Sequence, residues 1–562
     1  MMSATTPAEP SSGAPTQLSR SLDRLDERYR VAVGLRRVAN RVFPTHWSFM
    51  LGEIAFYSFL VLLLSGVYLA LFFDPSMQTV TYNGRYDNLR GVTMSKAYES
   101  TLRLSFDVRG GLFIRQIHHW ASHLFIAAMI AHLLRTFFTG AFRRPREANW
   151  VIGILLLLTG SFAGFTGYSL PDDLLGTTGL RIASALTLSI PVIGTWTHWA
   201  LFGGEFPGTE IIPRLYLIHI ALLPAILLAL TALHLGLAWR RRSPQFPGTT
   251  TRTSAGDKRA VQHTENNIVG VRALPTFAAR TAAFGMLTTG VLAIMAGIFQ
   301  INPIWNYGPY NPVHVSSGAA PDWFFLYLDG MTRIFPPWDV HIAGHTIPPT
   351  FWAGPAFLPV FYLIAAAYPW LERRLAKDHA HHHLLQRPRD APVRTALGAM
   401  AVSFYAVLTL SGSNDQIAFY FNISLNATIW AGRIGLLILP PIAYYLTYRI
   451  CLGLQRDDRA VLQHGIATGI IRRLPHGEFI EIHQPLAGTN RNGKPVPLTY
   501  QGAPVPKRMN QLDVGGRPPS GSLLTPDPIE ETNALERARN AGSRQHGSSS
   551  NEGVPTSGTP AR

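Results

Sequence analysis

Cysteine is nearly missing: Cys451 is the one thiol in 562 residues. That excludes an intrachain disulfide, a thiolate-bound iron–sulfur cluster and a CxxCH attachment site for covalent haem on this chain. Charge is scarce too, at 15% of residues. The first 45 residues hold no apolar h-region, so no cleaved secretory signal is expected.

What abounds is apolar sequence, 47% of residues, and it is gathered rather than spread. Eight blocks lie near 49–73, 113–138, 149–169, 213–239, 277–300, 349–370, 395–411 and 427–451. Each is long enough to cross a hydrocarbon core of about 30 Å as a helix. The expected fold is all-α, a polytopic membrane helical bundle of eight transmembrane helices. Residues 1–18 and roughly 485–562 are rich in Pro, Gly, Ser, Thr and Asn with few aliphatics, and read as disordered. The expected layout is a cytoplasmic N-terminal segment (1–45), a four-helix membrane domain (46–245), a second membrane domain of four helices (246–454) and a cytoplasmic, largely disordered tail (455–562).

Arg20, Arg24, Arg28, Arg30, Arg36, Arg37 and Arg41 precede the first span, and cytoplasmic flanks are the ones enriched in Arg and Lys. A chain that starts inside then places Arg143, Arg144 and Arg146, Arg240 to Arg242, and Arg373, Arg374 and Lys377 in cytoplasmic loops. The outer loops after the third, fifth and seventh spans carry one, one and no basic residues. Only the first outer loop departs, with Arg85, Arg90, Lys96, Arg103 and Arg109 interleaved among Asp74, Asp87, Glu99 and Asp107. The formal charge of +16 therefore follows from membrane topology and calls for no nucleic-acid partner. A multi-pass cell-membrane protein with both termini in the cytoplasm is expected.

Ionisable side chains inside such spans are costly and mark function by default. The second span, RQIHHWASHLFIAAMIAHLLRTFFTG, nevertheless holds four histidines. At about 100° and 1.5 Å per residue, His118 and His132, 14 apart, return to within about 40° of one face and lie about 21 Å apart. His119 and His123 miss that face. The fourth span repeats the arrangement with His219 and His234, 15 apart and about 60° from eclipsed. Four imidazoles at two matched depths can hold two metal centres. Two facing imidazoles and no other donor suit six-coordinate haem iron, whereas zinc wants four ligands. Asp and Glu are absent from both helix interiors, which argues against a di-iron carboxylate centre. Any one of these histidines could instead be an interhelical hydrogen-bonding residue.

Gly52 and Gly66 in the first span and Gly153 and Gly167 in the third are also 14 apart. A missing side chain lets a large planar ring approach the backbone, and it equally serves small-residue helix packing. Arg115 and Arg135 each lie three residues from a proposed ligand, in reach of haem propionates or free to snorkel. The first four spans are thus expected to form a di-haem four-helix bundle.

The His-x13-His and His-x14-His sets, the paired glycines, GYSLP at 167–171 and PDWF at 321–324 resemble cytochrome b of the quinol-oxidising cytochrome bc complexes, over about residues 45–450. The resemblance implies a low-potential haem b between His118 and His219, a high-potential haem b between His132 and His234, and quinone sites at both faces, with menaquinone the expected quinone. The family's outer motif is usually Pro-Glu-Trp-Tyr, and here it is Pro321, Asp322, Trp323 and Phe324. Where Trp-Gly commonly follows Leu-Pro, this chain has Asp172 and Asp173. These departures, the undivided chain and the long tails resemble an actinobacterial form. Topology puts Tyr168 and Asp322 on the side of His118 and His219. That makes Asp322 the candidate proton acceptor and Tyr168 its companion, with Pro321, Trp323 and Phe324 lining a quinol site. The plain alternative is that Asp322 caps a loop turn.

The implied activity is that of the cytochrome b subunit of a quinol:cytochrome c oxidoreductase, a translocase active as part of a complex. It splits the two electrons of quinol, sends one inward through the haems to an inner quinone site and contributes to a proton gradient. The other electron must leave to a partner, because the chain has no cluster ligands. A Rieske iron–sulfur protein and a cytochrome c subunit are implied, in a homodimer bathed in membrane lipid, with a cytochrome c oxidase as supercomplex partner. For the inner site, HTENNIVG offers His263 and Glu265, equally readable as a solvated loop. Rival readings are a haem–copper oxidase subunit, prompted by adjacent His118 and His119, a di-haem membrane anchor relaying electrons for a dehydrogenase, and a transporter.

Overall fold

The computed structural model of the chain describes residues 31–254, 257–314 and 319–484, and short pieces from there to residue 507. Residues 1–30, with four of the N-terminal arginines, and most of the tail expected to be disordered lie outside the described residues. Among the described residues eight helices are long and apolar enough to cross a membrane: α1 (Trp47–Ala70), α2 (Gly111–Phe138), α3 (Glu147–Ser169), α4 (Ile211–Arg240), α5 (Ala273–Ile298), α6 (Pro349–Ala376), α7 (Pro392–Gly412) and α8 (Leu425–His464). They coincide with the eight expected spans, though α6 and α8 run on past 370 and 451. A chain in hydrocarbon has no water for its peptide groups, so each span bonds them internally as a helix. The chain is an all-α, multi-pass membrane bundle.

Helix α1 packs against α2 and α5, α3 against α4 and α6, and α7 against α8. Between the first helices lies a core of Phe59, Phe125, Ile126, Leu156, Leu157 and Leu227, which Phe324 and Phe325 of the loop after α5 join. Phe59 and Phe125 stack at 5.5 Å between ring centres. Each sits midway along a 14-residue interval, Gly52 to Gly66 and His118 to His132. The segment before α1 is tied to the entry of α5 by an antiparallel pairing of Val42–Phe43 with Val271–Arg272. Within the tail that begins at 455, the described residues form the end of α8 and an antiparallel pair of strands, Ile466–Arg473 with Phe479–Gln484.

The motif at 321–324 leads straight into a short helix, Leu326–Ile334, laid against α7 and α8. Two glycines allow that contact. A Cβ built on Gly330 would stand 1.8 Å from the Leu408 carbonyl oxygen, and one on Gly412 2.3 Å from that of Leu326. Arg333 then joins Asp329 at 2.8 Å to Asp415 at 3.0 Å and Asn414 at 2.9 Å, pinning the short helix to the segment after α7.

Gly330→Ala is expected to destabilise the protein by about 1–3 kcal/mol, the usual range for extra bulk in a filled contact, read as a lower thermal midpoint of the assembled protein. Gly290→Ala, where a Cβ meets nothing within 4 Å, is expected to leave the midpoint in place. Equal midpoints for the two variants would refute the close approach.

Candidate haem centres and quinol site

His118 on α2 and His219 on α4 face each other with ring centres 6.3 Å apart and planes at 72°; His132 and His234 do the same at 6.4 Å and 74°. A metal–imidazole bond of about 2 Å on each side, plus roughly 1.1 Å from a ring nitrogen to its ring centre, sums to about 6.2 Å. Each pair is therefore spaced to hold one ion between its rings. The extra residue between His219 and His234 finds its place in a π-helical turn, Ile218–Leu222. Such a turn admits one residue more than an α-turn without carrying the following helix round. With one residue absorbed there, the effective spacing becomes that of His118 and His132, within about 40° of one face.

Second partners set which ring nitrogen is free. The Ser65 hydroxyl donates to the Val61 carbonyl at 2.6 Å and so accepts from His118 Nδ1 at 2.8 Å. The Thr166 hydroxyl likewise donates to Ala163 at 3.0 Å and accepts from His219 Nδ1 at 3.1 Å. With the proton on Nδ1, Nε2 carries the lone pair that a metal needs. Among the described residues His132 Nδ1 is buried without a hydrogen-bond partner.

Each glycine of the two pairs faces one of these imidazoles. A Cβ on Gly52 would meet His132 at 3.3 Å, on Gly66 His118 at 3.3 Å, on Gly153 His234 at 3.8 Å and on Gly167 His219 at 2.5 Å. Arg115 donates to the Asn302 carbonyl at 2.7 Å through one terminal nitrogen, and the other is buried without a partner. Arg135 lies over the Phe49 ring at 4.4 Å and meets Ser48 at 3.3 Å, and one of its terminal nitrogens is also buried and unsatisfied. A buried guanidinium with an unused donor is costly unless an anion meets it. One such donor beside each histidine pair matches the carboxylate arms of two haems, so the residues present fit that group.

The structure also assembles a cluster that the helix-face argument set aside. His119 Nε2 and His123 Nε2 lie 3.8 and 3.9 Å from the same Asp322 oxygen. His119 and His123 are four apart, one helical turn, and that spacing was the available signal for a second functional face on α2. Trp323 Nε1 donates to His123 Nδ1 at 3.0 Å. Phe324 is buried in a notch at Gly164, where a Cβ would come within 2.5 Å of its ring. Tyr168 is near enough to Asp322 and Asp173 to feel their charge, while Pro321 is partly buried at the start of the motif. The remote candidates go elsewhere. Glu265 accepts from the backbone N–H groups of His383 and Leu384, and His263 Nδ1 meets the Phe246 carbonyl at 2.8 Å, so both sit in contacts between loops.

Asp172 and Asp173 are both buried just past α3. Asp172, at φ 57°, accepts from Thr177 at 2.9 Å, and Asp173 caps the next helix by accepting from Leu175 and Gly176. Burial, the largest cause in each case, pushes both carboxyls up to about 6.

The sequence closely matches curated relatives. The chain is 58% identical over 525 residues to the cytochrome bc1 complex cytochrome b subunit of Mycobacterium tuberculosis, covering 93% of each. It belongs to the cytochrome b family of cytochrome bc1 complexes. The corresponding subunit of Corynebacterium diphtheriae is 57% identical over 90% of this chain and 91% of its own. That of Streptomyces coelicolor is 48% identical over 80% of each. These relatives mark the actinobacterial form of the family. The family described as cytochrome b (N-terminal)/b6/petB matches residues 123–309. A chain of a hyperthermophilic respiratory Complex III shares the fold, with a TM-score of 0.53 at 20% identity over 76% of this chain and 99% of that one. Membership of the cytochrome b family implies haem b and a part in respiratory electron transfer as a component of the complex.

Replacing His132 or His234 by Ala is expected to remove one b-type haem signal from the visible spectrum and leave the other at least partly in place. His119→Ala and His123→Ala are expected to retain both, and a haem lost from either would overturn the pairing. A pH effect follows from the buried aspartates. Their protons are held more tightly in the folded chain than in the unfolded one, so their stabilisation is full below about pH 4 and is lost as pH rises through about 6. The thermal midpoint should fall between pH 5 and pH 8, and the fall should shrink in Asp172→Asn, which keeps an acceptor for Thr177 and tolerates a positive φ. An unaltered pH slope in that variant would exclude the effect.

Proposed function

We propose that this chain is the quinol-oxidising, electron-bifurcating subunit of its complex. One electron of each quinol crosses the bilayer inward through two b-type haems to a second quinone site, and the other passes to an iron–sulfur partner. The observation that carries this reading is the position of Asp322 beside the His118–His219 end of a bundle whose other end holds His132 and His234. Bound between the pairs, haem b would supply reversible one-electron chemistry, at low potential near Asp322 and at high potential at the far end.

The chain's own residues do the rest. Ser65 and Thr166 hold the His118 and His219 rings with Nε2 free, and Arg115 and Arg135 would neutralise the carboxylate arms. Glycines at 52, 66, 153 and 167 keep the space beside the imidazoles clear of side chains. At the quinol site, Asp322 accepts a hydroxyl proton, Tyr168 orients the ring and the apolar faces of Trp323 and Phe324 keep bulk water away. Asp is shorter than Glu by one methylene, so the backbone of residues 321–324 must approach the quinol more closely or a water must bridge. The notch at Gly164 that receives Phe324 seats this stretch against α3. With the arginine-rich loops inside, this end faces outward and both termini face the cytoplasm. Protons then leave outside, and each electron sent inward carries charge across a field costing about 2.3 kcal/mol per 100 mV. The reading includes menaquinol as donor, a haem domain at 46–245, a second membrane domain at 246–454, and a homodimer with Rieske-type, cytochrome c and terminal oxidase partners.

Asp322→Asn keeps the shape and removes the base. Quinol oxidation in the assembled complex should fall by roughly one to two orders of magnitude, with both haem spectra intact. Tyr168→Phe should cost less, since a phenol is a poor base near neutral pH. Turnover near that of the parent in Asp322→Asn, at saturating quinol, would remove Asp322 from the proton path.

A further inference from the structure

We infer that Trp323 locks His123 in the tautomer that presents an N–H to Asp322, which makes His123 a positioning residue for that carboxylate. The inference rests on the reading of Asp322 as the proton acceptor. An indole N–H donates and cannot accept, so the 3.0 Å contact from Trp323 Nε1 consumes the lone pair of His123 Nδ1. The proton of the neutral ring must then sit on Nε2. That nitrogen is the one facing Asp322, at 3.9 Å.

The same hydrogen-bond logic separates two kinds of histidine on α2. At His118 the Nδ1 partner is a hydroxyl whose own proton is already given to a carbonyl, which leaves a lone pair on Nε2. At His123 the Nδ1 partner is a pure donor, which leaves a hydrogen on Nε2. The first ring is ready to bind a metal and the second is not. This matters because His119, His123 and Asp322 otherwise look like a metal site, with donor atoms all within 4.8 Å of one another. A metal at His123 Nε2 would have to displace the proton that the indole contact keeps there.

For Asp322 the consequence is a nearby dipole that favours its ionised form without occupying it. No hydrogen bond shorter than 3.5 Å reaches its carboxylate among the described residues, so its lone pairs stay available to a quinol hydroxyl. A donor at 3.9 Å stabilises the charge through space, and more strongly in an apolar pocket than it would in water. His123 neither gains nor loses a proton in this scheme. The proton goes from the quinol oxygen to Asp322 and from there to outer water. The lock and the base are neighbours in sequence, Asp322 and Trp323, so one short stretch carries the acceptor and also sets the ring that holds it.

The test uses the assembled complex with saturating cytochrome c partner and a titration of quinol. His123→Leu fills the space without a donor and is expected to lower kcat about fivefold, less than a direct hydrogen bond to a charged group contributes because this donor stands at 3.9 Å, with KM nearly unchanged and both haem spectra retained. His123→Gln can accept from Trp323 through its carbonyl and offer an amide N–H to Asp322, and is expected to recover most of the lost kcat. Equal losses in the Leu and Gln variants would show a packing role only and overturn the inference, as would parent-like kcat in His123→Leu. Asp322→Asn is measured alongside. A slow Asp322→Asn with parent-like His123→Leu sinks only the positioning role, whereas a parent-like Asp322→Asn sinks the reading on which it rests. Should His123→Leu fail to retain haem, His123→Met replaces it with the same expectation.

Discussion

Inside hydrocarbon a polar atom has no water to turn to, and the ionisable groups of this chain are arranged around that constraint. It explains the hydroxyls set beside His118 and His219, each passing its own hydrogen to a carbonyl one turn back in its helix. It also explains where satisfaction fails. His132 Nδ1 and one nitrogen each of Arg115 and Arg135 are buried and unpaired, and all three stand at the histidine pairs. Buried polar groups without a partner carry a cost, and a metal with anionic arms would relieve it at these three atoms.

Between the two pairs the interior is filled by apolar side chains. Phe59 stacks on Phe125 midway, and Gly160 admits Met129 and Phe125, the nearest atoms standing 2.8 and 3.0 Å from where its Cβ would be. Apolar packing of this kind fixes the helices that carry the two histidine pairs. The π-turn at His219 belongs to the same arrangement. An irregularity inside a helix costs hydrogen-bond quality, and here it delivers the ring to its partner's depth and face.

The Asp322 end of the bundle is assembled from farther away. Residues 321–324 reach α2 and α3 because the helix that follows them is drawn tight against α7 by two facing glycines and pinned by Arg333. Asp322 thus arrives beside His119 and His123, and Trp323 beside the ring it donates to. Family resemblance located the motif, and its departures from the usual pattern are accommodated locally. Phe324 takes an apolar notch where a phenol is common, and Asp172 and Asp173 find Thr177 and a helix start to bond.

By itself the sequence determined the eight spans, the two histidine pairs and the glycines opposite them, because helical periodicity and membrane thickness are local rules that a string of residues obeys one turn at a time. It also identified Asp322, through a motif. What it left open were relations between distant segments. The extra residue between His219 and His234 is absorbed by a π-turn that no local pattern announces. His119 and His123 pointed away from the haem face, and only the return of the loop after α5 showed what they point to. The tautomer of His123 depends on an indole 200 residues later. Hydrogen-bond direction is set by whichever partner arrives in space, so tertiary structure alone could decide it.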